Sequence, residues 1–150
     1  MEALILSGLP GAGKSTFCRD RLWDTHIRLN LDMLKTRHRE KMLLHALIEA
    51  RQRFVVDNTN PTPADRARYI VPAKAASFSV VAYHFDVAFE VARHRNAQRQ
   101  GQVRVPDKGL GAIGKVLVPP SWVEGFDAIF HVRAVDGLEF DLQEIAADEL

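Results

Sequence analysis

The sequence contains a single cysteine and has no long run of apolar residues. Cys18 alone provides neither a disulfide scaffold nor a cysteine metal site, which favours a reducing compartment such as the cytoplasm. Residues 1–8 include an acid and only a short apolar run, a pattern unlike a secretory signal peptide. No segment approaches the roughly 20 apolar residues that a membrane span needs. We therefore expect a soluble, cytoplasmic protein with no membrane contact.

A strong net charge is also absent, because 20 Lys and Arg nearly balance 19 Asp and Glu. The two signs are unevenly distributed along the chain. Residues 124–150 hold eight acids and one arginine, a net charge of −7, which leaves +8 for residues 1–123. A basic segment of this kind suits an enzyme that binds polyphosphate, and it is also compatible with a nucleic-acid acceptor. A solvated basic face explains most of these charges equally well.

Neither a repeat nor a linker interrupts the chain, and short apolar runs alternate with helical patterns. This alternation predicts parallel βαβ units, and the length fits one domain over residues 1–150. We expect an α/β fold with about five parallel strands and helices on both faces. Pro72 predicts a kink or an early end in the third helix. The predicted strands cover residues 3–7, 27–30, 54–57, 78–85 and 128–132, and the predicted helices cover residues 14–23, 32–53, 63–76, 88–100 and 107–116.

Residues 8–15, GLPGAGKS, match the phosphate-binding loop G-x-x-x-x-G-K-[ST] and directly follow a predicted strand. In such a loop the glycines let backbone N–H groups point at phosphate oxygens, the lysine contacts the β and γ phosphates, and the serine hydroxyl holds Mg²⁺. A helix beginning at Lys14 adds its positive end to the same anion. We therefore predict nucleotide binding. The predicted residues are Gly8, Gly11, Ala12, Gly13, Lys14, Ser15 and Thr16, with Ser15 as the metal ligand.

Two further segments place polar residues where open α/β sheets bind ligands, beyond the carboxyl ends of strands. After the second strand, Asp32 is a candidate general base, with a role as the cap of the next helix as an equal alternative. Lys35 lies on roughly the same helical face and is a candidate contact to an anionic acceptor. After the third strand, Asp57, Asn58 and Thr59 suit Mg²⁺ or acceptor binding, with a simple turn as the alternative.

Arg95 and Arg99 are four residues apart in a predicted helix and share a face. Arginines over a γ phosphate stabilise the charge of the transition state. The alternative is a solvated basic helix face.

The segments GLPGAGKST, NLDMLK, VVDNTNPTPADRARY, FDV and HRNAQRQ, followed by VP at residues 105–106, occur in this order over about residues 3–106. Together they resemble the P-loop polynucleotide 5′-kinase family. The resemblance implies a P-loop kinase-like three-layer sandwich with a small helical lid, and transfer of the γ-phosphoryl group from ATP, with Mg²⁺, to a nucleic-acid 5′-hydroxyl. It implies that Lys14 and Ser15 bind phosphate and Mg²⁺, that Asp32 is the general base, and that Arg95 and Arg99 belong to the lid.

The resemblance also implies that Lys35 contacts the acceptor's neighbouring phosphate. Family members place an arginine there, so lysine loses the bidentate grip on phosphate. The remaining substrate-binding residues that the resemblance implies are Asp57, Asn58, Thr59 and Arg66. By analogy with related folds, residues 134–137 are expected to pack against the adenine.

Two other functions fit the same residues. A kinase of this fold can phosphorylate a small molecule, such as a sugar, a nucleoside, an antibiotic or the nucleotide sugar used by zeta-type toxins. A nucleotide-dependent switch or assembly ATPase would need a partner protein and would not need Asp32. Residues 28–53 carry seven basic and three acidic side chains, which slightly favours a nucleic acid. The residues distinguish neither DNA from RNA nor one oligomeric state from another.

Overall fold

The computed structural model describes residues 1–101, 104–135 and 139–147. Within these ranges, six strands form one sheet in the order β2-β3-β1-β4-β5-β6. The first five strands are parallel, and β6 runs antiparallel to β5 at the edge. The strands are β1 (Glu2–Ser7), β2 (Ile27–Leu29), β3 (Phe54–Val56), β4 (Ser79–Phe85), β5 (Ala128–Val135) and β6 (Glu139–Glu144).

The five predicted parallel strands are confirmed, but the prediction missed β6. This strand contains only two apolar residues, Phe140 and Leu142, among acids and a glutamine, so the segment resembles an acidic tail in the sequence. Both apolar side chains pack against the core from the sheet's edge. The segment therefore forms a strand because it pairs with β5, which its composition alone does not indicate.

Helices cover both faces of the sheet, which confirms the predicted α/β sandwich. One face packs against the third and fourth helices, through side chains such as Leu47 and Tyr69. The other packs against the first helix and the π-helical turn Cys18–Leu22 that extends it, through Phe17 and Cys18. The helices are α1 (Lys14–Phe17), α2 (Leu31–Leu34), α3 (Arg37–Glu49), α4 (Pro63–Ala75), α5 (Phe89–Ala97) and α6 (Asp107–Val116).

The single helix predicted over residues 32–53 is wrong, because the chain breaks between α2 and α3. Asn30 caps α2 by accepting a hydrogen bond from the N–H of Met33 (2.9 Å). Thr36 caps α3 in the same way, accepting from the N–H of Arg39 (3.1 Å). Lys35 joins the two helices with a φ of 76°, which no helix accommodates. Two caps six residues apart thus define two helices.

The helix predicted over residues 63–76 is confirmed, with Thr62 and Asp65 forming a capping box and Pro63 in the first turn. Of the kink or early end expected at Pro72, the early end is wrong, since α4 continues to Ala75. Pro72 removes one N–H donor from the helix, but packing of Ile70 and Ala73 against the sheet holds the last turn in place.

Helices α5 and α6 lie beyond the carboxyl end of the sheet and share a small core of their own. Leu9, Ala92 and Leu110 form its centre, so the phosphate-binding loop packs directly against the two helices. This pair occupies the place of the small helical lid that the family resemblance implies. No helix in the described ranges is long and apolar enough to cross a bilayer.

Candidate active site

The loop between β1 and α1 has the conformation that its glycines permit. Gly11 and Gly13 have φ angles of 87° and 102°, which side chains other than glycine rarely adopt. A Cβ atom on Gly11 would lie 2.5 Å from the carbonyl oxygen of Ala92 in α5. Gly13 caps α1, so the loop leads straight into a helix N-terminus. Gly13 therefore allows α1 to begin directly after the loop, and Gly11 allows α5 to pack closely against the loop. A helix N-terminus at the end of such a loop is suited to bind phosphate.

Lys14 is buried at the base of this loop. Its Nζ donates hydrogen bonds to the carbonyl oxygens of Gly8 (2.8 Å) and Leu9 (2.7 Å). Burial lowers the pKa of Lys14 to about 8, against the opposing effect of the Asp57 carboxylate, and the charge of Arg99 lowers it further. A phosphate bound at the loop would raise the pKa of Lys14 again, because an anion stabilises the charged ammonium.

A second cluster joins Ser15, Asp57 and Arg28 at the carboxyl ends of β2 and β3. One carboxylate oxygen of Asp57 accepts hydrogen bonds from the Ser15 hydroxyl (2.9 Å) and from the Nε of Arg28 (2.8 Å). Arg28 also donates from Nη2 to the Ser15 hydroxyl oxygen (3.3 Å). Asp57 is almost fully buried, with 2% of its surface exposed. The contact between Ser15 and Asp57 brings together two residues predicted separately from the sequence.

This donor set fits Mg²⁺, because a hydroxyl and a carboxylate are the hard oxygen ligands that the ion prefers. Ser15 and Asp57 would hold the ion. Among the described residues there is no group of three or more His, Cys, Asp or Glu side chains able to hold a metal ion. The site therefore suits a metal that keeps waters and arrives with phosphate oxygens, as Mg²⁺ usually does.

Asp32 lies in α2, whose position is fixed by two asparagines. Asn30 donates from its side-chain nitrogen to the carbonyl oxygen of Asp57 (2.7 Å), and Asn58 accepts from the N–H of Leu31 (2.9 Å). Because Asn30 is the cap of α2, the alternative that Asp32 merely caps this helix is wrong. Asp32 is exposed and lines a cleft shared with the phosphate-binding loop.

Two adjoining cavities meet at the loop. The larger, about 410 Å³, is lined by Asp32, Asp57, Asn58 and Thr59. The smaller, about 260 Å³, is lined by Gly13, Thr16, Arg95 and Phe140. Both are lined by Gly11, Lys14, Ser15 and Arg99. The cavity lined by the candidate base Asp32 and the cavity lined by Arg95 thus share residues of the loop and Arg99.

Two of the five residues predicted to bind substrate do not line the cleft. Arg66 has no exposed surface: it pairs with Glu124 (Nε to Oε1, 2.7 Å) and donates to the carbonyl oxygens of Asn60 and Val118 (both 2.9 Å). The prediction that Arg66 contacts substrate is therefore corrected: Arg66 has a structural role, because its hydrogen bonds are made inside the protein. Lys35 is exposed at the break before α3 and is not among the residues that line the cleft. Of residues 134–137, expected near the adenine, residues 136 and 137 lie outside the described ranges, whereas Ala134 lines the smaller cavity.

The structure also adds residues that sequence reasoning missed. Arg37 lines the larger cavity and donates from Nη1 to Glu40 (2.8 Å) and to the Tyr69 hydroxyl (3.1 Å). The buried Glu40 and Tyr69 in turn accept from the side-chain nitrogen of Asn58 (3.0 and 3.1 Å). This network connects α3 and α4 to the end of β3. The spacing of Arg37 and Glu40, three apart on one helix, was the only local signal for it.

Comparison with known proteins adds a family and relatives to this geometry. A family model described as an AAA domain matches residues 4–120. The bifunctional polynucleotide phosphatase/kinase of Schizosaccharomyces pombe is 30% identical over 138 residues, which cover 87% of this chain and 33% of that protein. The chain therefore spans about a third of the length of the curated relatives it matches.

Solved structures agree with the fold. A chain in the structure of the Pnkp1/Rnl/Hen1 complex is 25% identical, with a TM-score of 0.55 over 71% of this chain and 43% of that chain. Kti12 of Chaetomium thermophilum, in complex with ADP-AlF3, is 14% identical, with a TM-score of 0.66 over 87% of this chain and 88% of that chain. The second likeness shows the fold alone, and it confirms the predicted α/β class.

Proposed function

Because the chain belongs to the AAA domain family, we propose that it is a kinase that transfers the γ-phosphoryl group of ATP to the 5′-hydroxyl of DNA or RNA, with Mg²⁺ as cofactor. The observation that carries the proposal is the cleft in which Asp32 lies together with Lys14, Ser15 and Asp57. The likeness to polynucleotide phosphatase/kinases supports the choice of acceptor. A cytoplasmic location and a single domain over residues 1–150 are part of the same proposal.

On the donor side, the phosphates of ATP would lie along the loop, with its N–H groups and Lys14 as the nearest donors. Arg95 in α5, and Arg99 just after its end, line the smaller cavity, where they would face the phosphates. Arginines in that position stabilise charge that grows on the transferring phosphoryl group. Thr16, in the same cavity, and Phe140, 3.5 Å from a Cβ position at Gly13, would border the nucleotide.

Mg²⁺ held between ATP and the Ser15 and Asp57 side chains would neutralise charge on the β and γ phosphates. The chain's own contribution is to keep these two oxygens adjacent, 2.9 Å apart, at the mouth of the loop. Asp57 is rigidly placed, because its N–H donates to the carbonyl oxygen of Leu29 (2.8 Å) and its carbonyl accepts from Asn30.

On the acceptor side, Asp32 would accept the proton of the attacking hydroxyl. Its exposure in the cleft suits a base that meets an incoming substrate, and the capped start of α2 fixes its position. The basic groups near it would attract an acceptor that carries phosphates. Arg37 lines the same cleft, while the predicted contact through Lys35 remains part of this proposal.

The proposal is tested with γ-labelled ATP and a 5′-hydroxyl oligonucleotide. We expect Asp32→Asn to slow label transfer by about 10²–10⁴-fold, because the general base is lost. ATP affinity should stay within about twofold of wild type, since Asp32 is not in the phosphate-binding loop. Asp24→Asn, a change of the same type at an exposed turn, is the matched control. Transfer by Asp32→Asn at the wild-type rate would contradict the assignment of Asp32 as the general base.

A further inference from the structure

Arg28 is a residue that the proposed reaction has not used. It lies in β2, with its backbone paired to Val55 of β3, and its side chain crosses to the end of β3. There it contacts both of the groups assigned to the metal, donating from Nε to Asp57 and from Nη2 to Ser15. About a third of its side chain is exposed, in contrast to its partner carboxylate.

The charge on Asp57 explains why a cation is present at this point. A carboxylate with 2% exposure needs a counter-charge or strong hydrogen bonds, because burial without them is costly. Lys14, the other nearby cation, directs its ammonium group at two backbone carbonyls. Of these two cations, Arg28 therefore supplies the charge-assisted bond to Asp57.

The same oxygen atoms are those that a divalent ion would use. A guanidinium with its Nε 2.8 Å from the carboxylate oxygen of Asp57 competes with Mg²⁺ for that oxygen and repels the ion electrostatically. In this arrangement the Asp57 carboxylate already has hydrogen-bond partners in Ser15 and Arg28 before nucleotide binds. It would bind the metal well only when additional negative charge, such as that of the ATP phosphates, is also present.

We propose that Arg28 is a positioning residue that holds Ser15 and Asp57 in place without metal and gives up Asp57 when Mg²⁺ enters with ATP. The exchange makes metal binding depend on nucleotide. This inference rests on the ATP and Mg²⁺ part of the proposed function and not on the acceptor.

The structure provides space for the displaced side chain. Arg28 lines both the larger cavity and a further cavity of about 350 Å³, which is also lined by Cys18, Leu22 and Trp23. A rotation of the Arg28 side chain into this further cavity needs no change in the pairing of β2 with β3. The guanidinium would then leave the acceptor cleft clear.

Metal binding to the nucleotide-free protein tests the proposal without any catalytic assay. With Mn²⁺ as the probe, measured by electron paramagnetic resonance, we expect Arg28→Gln to bind at least about tenfold more tightly than wild type, because a repelling charge is removed. Arg28→Lys should fall between the two. Arg53→Gln removes the same charge at an exposed position just before β3 and should leave Mn²⁺ affinity unchanged.

Equal or weaker Mn²⁺ binding by Arg28→Gln would overturn the proposal, as would no measurable binding to either protein. An equal gain in Arg53→Gln would show a general charge effect and would overturn it too. A purely structural role for Arg28 predicts weaker binding, because the Asp57 carboxylate would then be misplaced.

A measurement on the wild-type protein covers the case in which Arg28→Gln does not fold. The Nε–H of Arg28, bonded to a buried carboxylate, should exchange slowly with solvent, as followed by ¹⁵N NMR with Arg28→Lys to assign the signal. We expect this protection to be lost when Mg²⁺ and a non-hydrolysable ATP analogue are added together. Protection that persists would contradict the exchange. Neither test involves a 5′-hydroxyl, so failure of the acceptor assignment and failure of this inference are separate results.

Discussion

Lys14 is a buried ammonium group whose charge depends on what lies beside it. Its pKa is lowered to about 8 chiefly by burial. Phosphate oxygens favour the protonated form, so ATP binds more tightly when Lys14 carries its proton. Above pH 8 we expect ATP affinity to fall by up to about tenfold per pH unit, as measured by calorimetry. Below pH 8 the contribution of Lys14 should be constant, since the group is already charged.

Lys14→Met is the control for this prediction. Its affinity for ATP should be lower throughout, and it should not show the additional fall above pH 8. Equal slopes in both proteins would contradict the assignment. The same pKa predicts that the nucleotide-free wild type gains stability as the pH rises from about 8 towards 10.5, because the unfolded chain then binds more protons than the folded one.

Arg66 and Glu124 form an ion pair in which neither side chain is more than 7% exposed. Removal of one partner leaves the other charge buried without compensation. We expect Glu124→Gln to lower the free energy of unfolding by about 3–5 kcal/mol, as measured by denaturant titration. Lys74→Gln, which breaks the half-exposed pair with Asp127, should cost at most about 1 kcal/mol. Similar small losses in both variants would contradict a structural role for Arg66.

At the scale of elements, the break between α2 and α3 decides which basic residue faces the cleft. Arg37, at the start of α3, lines the cavity that holds Asp32, whereas Lys35 lies in the break itself. We expect Arg37→Gln to raise the KM for a 5′-hydroxyl oligonucleotide by about tenfold, the effect of one charge-assisted contact. Lys35→Gln should raise it by less. The reverse order would support the Lys35 contact that the family resemblance implies.

How far the sequence predicts these elements depends on how local their causes are. The phosphate-binding loop, the five parallel strands and the cap of α4 at Thr62 are each encoded within a few residues, and all three are confirmed. The edge strand β6 owes its order to pairing with β5, so its own composition does not reveal it.

Contacts between residues that are distant in the sequence limit how much of the site can be predicted. The position of Asp57 at the end of an apolar run predicts a functional role for it, but its hydrogen bond to Arg28 depends on the pairing of β2 with β3. Arg66 follows a family motif and was predicted to bind substrate, yet Glu124, 58 residues away, holds it in the interior. No local pattern indicates either partner.

At the scale of the whole molecule, the charges are separated across the sheet. The helices that follow β2 lie near one edge, in a segment with four more basic than acidic side chains, and the acidic strand β6 forms the other edge. An acceptor with several phosphates would therefore bind near β2. We expect the KM for a 5′-hydroxyl oligonucleotide to rise steeply between about 50 and 200 mM salt. Binding of basic side chains releases counterions from the nucleic acid, and a higher salt concentration makes this release less favourable.

A 5′-hydroxyl dinucleotide carries few phosphates and is the matched control for this effect. Its KM should change much less over the same range of salt. A KM for the longer oligonucleotide that does not depend on salt would indicate that the basic segment does not contact the acceptor.

The central claim is that the γ phosphate of ATP ends on a nucleic-acid 5′-hydroxyl. Its most direct test offers γ-labelled ATP to the wild-type protein with 5′-hydroxyl DNA, 5′-hydroxyl RNA, the same strands with 5′-phosphates, and a panel of sugars, nucleosides and nucleotide sugars. We predict label on at least one 5′-hydroxyl strand and none on the 5′-phosphorylated strands. Label on a small molecule alone, or release of phosphate with no labelled acceptor, would contradict the claim.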